Sequence, residues 1–357
     1  MSRQRAAVMV EYQAEACRRL GSPLYAALLR RVAEDIRGGG PCADAVAGYE
    51  DAPGPAAIAL RLLGGVHALV LAGHAPDLAA YYPSAGGTVD PDRPDAAWPA
   101  FRAAVADHMA WVRHWMTRPP QTNEVGRANL LITGLLRAVQ RTPLPVRLVE
   151  LGASAGLNLR ADRFRYVTDD FTWGPADSPV VLADTWRGDP PGWLLRAAAA
   201  HPAITIIERR GCDLTPIDPM SAHGALALRA YVWPDQTDRL GRLDGALRLA
   251  TQVPAEVVAV GAADFLADLR LEPATLTVVW HSVMRQYVPA TEWARVDREL
   301  ERLAAASTPE AAFAYLWFEP RRVGQEHRFR LTARFGAACE QVLAEAPPHG
   351  LPASVAA

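Results

Sequence analysis

The sequence contains no lysine, so all 37 of its lysine-or-arginine positions are arginine. That absence excludes chemistry built on a primary side-chain amine: Schiff-base formation, the phosphate-binding lysine of a Walker motif and the strand lysine of protein kinases. Cysteine is scarce too. The four, Cys17, Cys42, Cys212 and Cys339, form no Cys-x-x-Cys pair and fit reduced thiols better than a disulfide framework or a zinc cluster, so no metal site is expected. No run reaches the roughly 18 uninterrupted apolar residues of a membrane span. The opening Met1-Ser2-Arg3-Gln4-Arg5 leads into a charged amphipathic stretch instead of the apolar core of a signal peptide. A cytoplasmic location and no membrane partner are expected. The formal net charge is -2 and arginines are interspersed with carboxylates, so no basic stripe follows a phosphate backbone and nucleic acid is not an expected partner.

What is present is enough apolar material, 50% of 357 residues, for one large core or two smaller ones. Segments 4–20, 23–37, 56–73, 97–116 and 124–141 carry apolar residues at helical spacing, separated by breakers such as Gly38-Gly39-Gly40-Pro41 and Pro119-Pro120. From Pro145 the pattern changes to short β-rich runs at 146–151, 163–167, 180–184, 203–208, 256–260, 276–281 and 312–318, with helical stretches at 192–200, 236–251 and 290–306. Strands alternating with helices predict an α/β fold, a largely parallel sheet covered on both faces. The expected organisation is an all-α N-terminal domain (1–142), an α/β domain (143–336) and a C-terminal helix with a loose tail (337–357).

The most informative stretch is Val149-Glu150-Leu151-Gly152-Ala153-Ser154-Ala155-Gly156-Leu157-Asn158, an acidic residue and two spaced glycines where a buried strand turns toward a helix. It reads equally as an ordinary turn or as a ligand loop whose backbone amides meet a polar cofactor. Two further aspartates follow strands: Asp213, in Gly211-Cys212-Asp213-Leu214-Thr215-Pro216, and Asp264, in Ala263-Asp264-Phe265-Leu266. The first suits the two hydroxyls of a ribose and the second an adenine amino group, although each also suits a turn or helix cap. The strand Thr277–His281 runs into the polar cluster His281-Ser282-Val283-Met284-Arg285-Gln286-Tyr287, and ligands in open α/β sheets bind at the carboxyl ends of strands. His281 is the candidate general base there, and Tyr287 reads as a catalytic or a packing aromatic. Gln121-Thr122-Asn123-Glu124-Val125-Gly126-Arg127 reads as a helix start capped by Thr122.

The order Glu-x-Gly-x-x-x-Gly, Gly-Cys-Asp-Leu-Thr-Pro, Ala-Asp-Phe-Leu and a strand-end polar cluster resembles class I S-adenosylmethionine-dependent methyltransferases over roughly residues 145–320. More narrowly, QTNEVGRANLLITGLL, LVELGASAGLNLRADRFRY, RRGCDLTPID, AYVWPDQTDRLGRLDGAL and VVWHSVMRQYVP resemble a bacterial family catalogued as a domain of unknown function, over nearly the whole chain. The first resemblance implies a Rossmann-like methyltransferase sheet and S-adenosylmethionine as cofactor. Glu150, Gly152, Ser154, Gly156 and Asn158 would then lie around its methionine part, Asp213 at the ribose and Asp264 at the adenine. The second shifts Asn123, Glu124 and Arg127 toward a pocket role, with Ser282 and Gln286 beside a small-molecule substrate.

Two departures from the methyltransferase pattern stand out. Ser154 replaces the usual central glycine, so a cofactor either gains a hydrogen bond from its hydroxyl or is kept out. Asp213 also lies 63 positions after Glu150 (213 less 150), whereas such patterns reach the second acid after about 20 residues. An inserted hairpin at 160–190, with Asp169-Asp170 near its tip, accounts for the extra length. In a competing assignment Arg163–Val167 is itself the second strand and Asp169 or Asp170 the ribose acid; the Gly211–Pro216 match favours Asp213. For methyl transfer, alignment of nucleophile, methyl and leaving sulfur supplies much of the rate, with His281 as base and Arg285 and Arg127 as anchors for a substrate carboxylate. A non-catalytic ligand-binding or scaffold protein and a nicotinamide-dependent oxidoreductase are the alternatives, the latter short of the Gly-x-Gly-x-x-Gly spacing it prefers.

Overall fold

The computed structural model describes residues 2–324 and 326–356, and the chain divides into two compact units. The first holds the residues up to Thr122 together with Ser221–Gly241, and the second Asn123–Met220 with Arg242–Ala357. Among the described residues no helix is long and apolar enough to cross a membrane.

The first unit is helical: α1 (Ser2–Arg19), α2 (Pro23–Gly38), α3 (Pro41–Ala45), α4 (Ile58–Leu71), α5 (Pro76–Ala79), α6 (Trp98–Asp107) and α7 (Met109–Met116). Ser22 caps α2, its Oγ accepting from Tyr25 N with Pro23 in the first turn, which is the signature of a helix start. The second unit contributes α8 (Ala128–Arg141) and α9 (Gly192–Ala200) before the chain re-enters the first with α10 (Ala222–Ala230). Sequence reasoning placed 221–241 in the α/β domain, and buried polar contacts explain the difference. Asp235 accepts from Ser22 Oγ at 2.7 Å and from Leu24 N at 3.1 Å, and His67 of α4 bonds the Ala230 carbonyl at 3.1 Å and Ser84 Oγ at 2.7 Å. Burial holds the His67 imidazole down to about 4, so it is a neutral core group.

In the second unit β1 (Val146–Leu151) is buried along its whole length, as a central parallel strand must be. The remaining strands are β2 (Arg165–Thr168), β3 (Phe171–Trp173), β4 (Val181–Leu182), β5 (Ile206–Asp213), β6 (Glu256–Ala259), β7 (Thr275–Ser282), β8 (Ala311–Val323), β9 (Glu326–Phe335) and β10 (Gln341–Ala346). Seven of them form one sheet in the order β10-β9-β8-β7-β1-β5-β6; β6, β5, β1, β7 and β8 are parallel, and β9 and β10 continue as an antiparallel meander. The part of α11 (Thr237–Gln252) from Arg242 onward, with α12 (Ala262–Asp268) and α13 (Ala290–Ala305), completes the α/β alternation. One face of the sheet buries Val149, Leu151, Val279, Phe313 and Trp317 against Phe265, Leu266, Trp293, Val296 and Leu300 of α12 and α13.

Three expectations are corrected. The segment 163–184 is a separate three-stranded sheet, β3-β2-β4: β2 and β3 form the hairpin with Asp169-Asp170 at its turn, while β4 pairs parallel with β2. Since β5, not β2, pairs with β1, Asp213 and not Asp169 or Asp170 ends the neighbouring strand. Secondly, α8 belongs to the α/β unit, so the boundary falls at 122/123 and not at 142/143. Thirdly, the segment from 337, expected as a helix and loose tail, contains β10, where pairing with β9 and the Glu345 ion pair to Arg330 at 2.7 Å override the helix propensity of its alanines. The tail is tied down as well: Ala353 is fully buried, accepts from Arg187 N and donates to the Thr185 carbonyl.

Helix α11 carries two glycines of opposite consequence. A Cβ on Gly245 would lie 2.1 Å from the Pro179 carbonyl oxygen, whereas one on Gly241 meets nothing within 4 Å among the described residues. Gly245→Ala is therefore expected to cost about 1–3 kcal/mol through overpacking, and Gly241→Ala to gain roughly 0.5–1 kcal/mol through helix propensity. Urea unfolding of the two variants checks this; equal effects would contradict the close approach.

Candidate functional site

β1 lies between β5 and β7, the point where successive strands depart in opposite directions, and the crevice beyond the carboxyl ends of strands at such a point is where open α/β sheets bind ligands. Glu150 stands there in register with Gly211 of β5 and Trp280 of β7. Its side chain is buried, and Oε2 has no hydrogen-bond partner among the described residues. Burial pushes the carboxyl up to about 8, an effect that the Trp280 indole and the Arg127 and Arg160 guanidiniums offset only in part. At neutral pH Glu150 is therefore mostly protonated.

The loop that follows alternates left-handed residues: Gly152 at φ 65°, Ser154 at φ 53° and Gly156 at φ 65°. An L-residue such as Ser154 is disfavoured in that region by roughly 1–2 kcal/mol, so the surroundings must hold it there. The end of β5 does so. Asp213 Oδ2 accepts from Ser154 N at 2.9 Å, the Cys212 carbonyl accepts from Ala153 N at 3.0 Å, and Ile217 N donates to the Ser154 carbonyl at 3.2 Å. A Cβ on Gly211 would lie 2.6 Å from that of Ala153, which explains a glycine at the end of a strand that touches this loop. Asp213 uses its other oxygen to accept from Thr215 N at 2.9 Å.

Most of the donors expected from this loop are engaged internally. Gly156 N donates to the Ala153 carbonyl at 2.7 Å and Leu157 N to Asn123 Oδ1 at 2.8 Å, in addition to the Ala153 and Ser154 amides. The next element is a 3-10 segment (Leu157–Arg163) kinked at Arg160, where an α-helix N-terminus was anticipated. What the loop does present is side-chain polarity: Ser154 Oγ and Asn158 Oδ1 are buried and, like Glu150 Oε2, lack partners among the described residues.

Segment 123–127 packs on this loop. Besides the Asn123 bond, the Glu124 carbonyl accepts from Asn158 Nδ2 at 3.2 Å, and Arg127 Nε donates to the Pro348 carbonyl at 3.0 Å. The cap differs from the expected Thr122: the Glu124 carboxylate accepts from Gly126 N at 3.0 Å and opens a 3-10 turn (Val125–Arg127) before α8. Asp264, by contrast, is 58% exposed on α12 and ion-paired with Arg295 of α13.

At the end of β7, His281 is fully buried. Its Nδ1 lies 2.9 Å from Glu319 Oε1 and its Nε2 2.7 Å from the Tyr315 hydroxyl. Burial pushes the Glu319 carboxyl up, but the hydrogen bond and charge of His281 and the amides of Met284 and Arg285 overcome it and hold the group below the ordinary value. Ionised Glu319 can only accept, so Nδ1–H donates to it; Nε2 accepts from the Tyr315 hydroxyl in the neutral imidazole and donates to it in the imidazolium. His281 thus joins Glu319 to Tyr315, and both of its ring nitrogens are engaged. Sequence reasoning missed both partners. The available signal was the alternation Tyr315, Trp317, Glu319, which puts a carboxylate one residue past the anticipated strand end and on the same face. Of the other predicted residues, Ser282 is half-buried, and Arg285, Gln286 and Tyr287 are exposed; Arg285 and Gln286, with His281, line a cavity of about 390 Å3. Among the described residues no three of His, Cys, Asp and Glu converge as metal ligands.

A family model described as an uncharacterized protein conserved in bacteria (DUF2332) matches residues 7–354, and the chain belongs to that family. No curated protein and no solved structure matches it.

The buried carboxyl of Glu150 makes a stability prediction. Its pKa is about 8 folded against an ordinary 4.5, so between these values the folded chain holds a proton that the unfolded chain releases, and stability falls as pH rises through that window. Glu150→Gln removes this cost. Its gain in stability over the parent should be small at pH 4.5 and on the order of a few kcal/mol by pH 8. Thermal melts at the two pH values read the difference, and a pH-independent gap would refute the assignment.

Proposed function

We propose that this protein is an S-adenosylmethionine-dependent methyltransferase acting on a small molecule, built on a Rossmann-like sheet. The observation that carries this reading is Ser154 at φ 53°. Serine replaces the glycine of the methyltransferase pattern, yet the chain keeps the left-handed backbone that glycine would supply, and the acid at the end of the next strand, Asp213, holds it there. Loop shape and acid position survive the substitution. The parallel strands, numbered among themselves in chain order, run 3-2-1-4-5, in keeping with doubly wound nucleotide-binding sheets.

The residues fit such a cofactor. Glu150 Oε2, Ser154 Oγ and Asn158 Oδ1 are buried atoms that a methionine ammonium and carboxylate would satisfy. Asp213 ends the strand beside β1, the position from which an acid reaches ribose hydroxyls in doubly wound sheets. Asp264 would approach the adenine only by yielding its bond to Arg295. When bound, S-adenosylmethionine supplies a methyl group already activated on sulfonium sulfur. The protein's part is then to orient the acceptor and to take its proton: Tyr315, hydrogen-bonded to His281 and through it to Glu319, holds or moves a proton at its hydroxyl oxygen. Arg285 and Arg127 are the candidate anchors for a substrate carboxylate, with Asn123, Glu124, Ser282, Gln286 and Tyr287 around the acceptor. A nicotinamide dinucleotide fits less well, because a pyrophosphate needs the loop amides that Asn123, Ala153, Cys212 and Asp213 already occupy.

Calorimetry of the full chain with S-adenosylmethionine and S-adenosylhomocysteine tests the proposal. Saturable binding is expected, about tenfold or more weaker in Asp213→Ala. A cationic ligand favours ionised Glu150, so affinity should rise as pH approaches about 8 and flatten in Glu150→Gln. Binding without turnover on any acceptor would favour a non-catalytic ligand-binding protein; no saturation by either compound across this pH range would overturn the cofactor reading.

A further inference from the structure

The cavity beside the ends of β7 and β8 holds the acceptor-side groups of the proposed function, and its polarity bears on which acceptor it suits. Its walls include His281, Arg285, Trp293, Tyr315, Trp317 and Glu319 within about 390 Å3, in the size range of small-molecule sites. Three of these groups are incompletely satisfied. Glu319 is 4% exposed and spends Oε1 on His281 Nδ1, Met284 N and Arg285 N, while Oε2 has no partner among the described residues. Trp293 is 5% exposed, and its indole N–H also lacks an acceptor. The Arg285 guanidinium forms no ion pair among the described residues and lies over the Trp293 ring, 5.0 Å from its centroid.

Glu319 and Trp293, each with a buried polar atom lacking a partner among the described residues, thus line the same cavity as Arg285, whose guanidinium stands over the indole ring. A buried carboxylate oxygen calls for a donor, and a cationic one most of all. The indole and guanidinium call for an acceptor, and the fork of an arginine suits a carboxylate. A simple cation would meet Arg285, and a simple anion would meet Glu319. Between the two ends Trp317, stacked on Tyr315 with ring centroids 4.4 Å apart, offers apolar surface. We propose that this cavity binds a small amino-acid-like zwitterion, its ammonium on Glu319 Oε2, its carboxylate on Arg285 and the Trp293 indole, and its apolar part against Trp317. The inference rests on the acceptor site proposed above, since Arg285 and Glu319 serve both, and names the class of acceptor; zwitterion binding measured without cofactor fails or succeeds separately from S-adenosylmethionine binding.

The test is calorimetric titration of the full chain, without cofactor, with L-leucine, L-methionine and L-phenylalanine, each beside its decarboxylated amine and its deaminated acid. At least one amino acid should saturate, with its amine and acid about tenfold or more weaker, and Glu319→Gln and Arg285→Met should each lose about tenfold or more. Because Glu319 also holds the Met284 and Arg285 amides, circular dichroism accompanies that variant. The exposed position Arg285 carries the test should Glu319→Gln fail to fold. The proposal is overturned if no amino acid saturates, if the amine binds as tightly as the zwitterion, or if Arg285→Met leaves affinity unchanged.

Discussion

The hydrogen bond from the Ser154 amide to the Asp213 carboxylate is the interaction on which the site depends. It joins the carboxyl ends of two neighbouring parallel strands, β1 and β5, and fixes a left-handed serine that would otherwise relax. Gly152 and Gly156 need no such support, since glycine adopts the same backbone freely. Fixing Ser154 in turn orders the loop up to Leu157 and Asn158, which segment 123–127 then covers. Register contributes as much as the bond, because only a sheet that sets Glu150 against Gly211 brings Asp213 level with the turn.

Around that clamp the site gathers buried polar groups in two different electrostatic states. Glu150 is surrounded by apolar and half-compensating neighbours and holds its proton. Glu319, equally buried, is ionised because an imidazole and two backbone amides converge on it. Carboxyls driven apart in this way are suited to different tasks, one to respond to an incoming cation and the other to orient His281. The arginine-only composition fits this arrangement, since planar guanidiniums at Arg127 and Arg285 offer directed hydrogen bonds where an ammonium would be a point charge.

How much of this was legible in the sequence depended on what each segment advertised. β1 was read to the residue because Val146, Leu148, Val149 and Leu151 concentrate β-forming apolar residues between turn residues on both sides. The strand that pairs with it was expected at 203–208 and lies at Ile206–Asp213: Arg209 and Arg210 fell outside the expected range because they are charged, and ion pairs from Glu208, Arg209 and Arg210 to Arg147, Asp162 and Glu256 accommodate the charges in β5. The same long-range dependence hid β10, whose alanines favour a helix until β9 pairs with them, and the return of 221–241 to the helical unit through Asp235 and His67. Within the site, the strand-end positions of Glu150, Asp213 and His281 followed from local pattern alone. The state of each did not, because a left-handed Ser154, a protonated Glu150 and a histidine spent on Glu319 and Tyr315 are all set by neighbours distant in sequence.

The central claim is that the turn between Glu150 and Asn158, clamped by Asp213, is a nucleoside-cofactor loop. A crystal structure of the full chain grown with S-adenosylhomocysteine tests it most directly. The ribose hydroxyls are expected within hydrogen-bond distance of the Asp213 carboxylate and the amino-acid end against Glu150, Ser154 and Asn158, with Ser154 still left-handed. Density for the ligand at any other place, or a loop whose three buried polar atoms are satisfied by the protein itself, would contradict it.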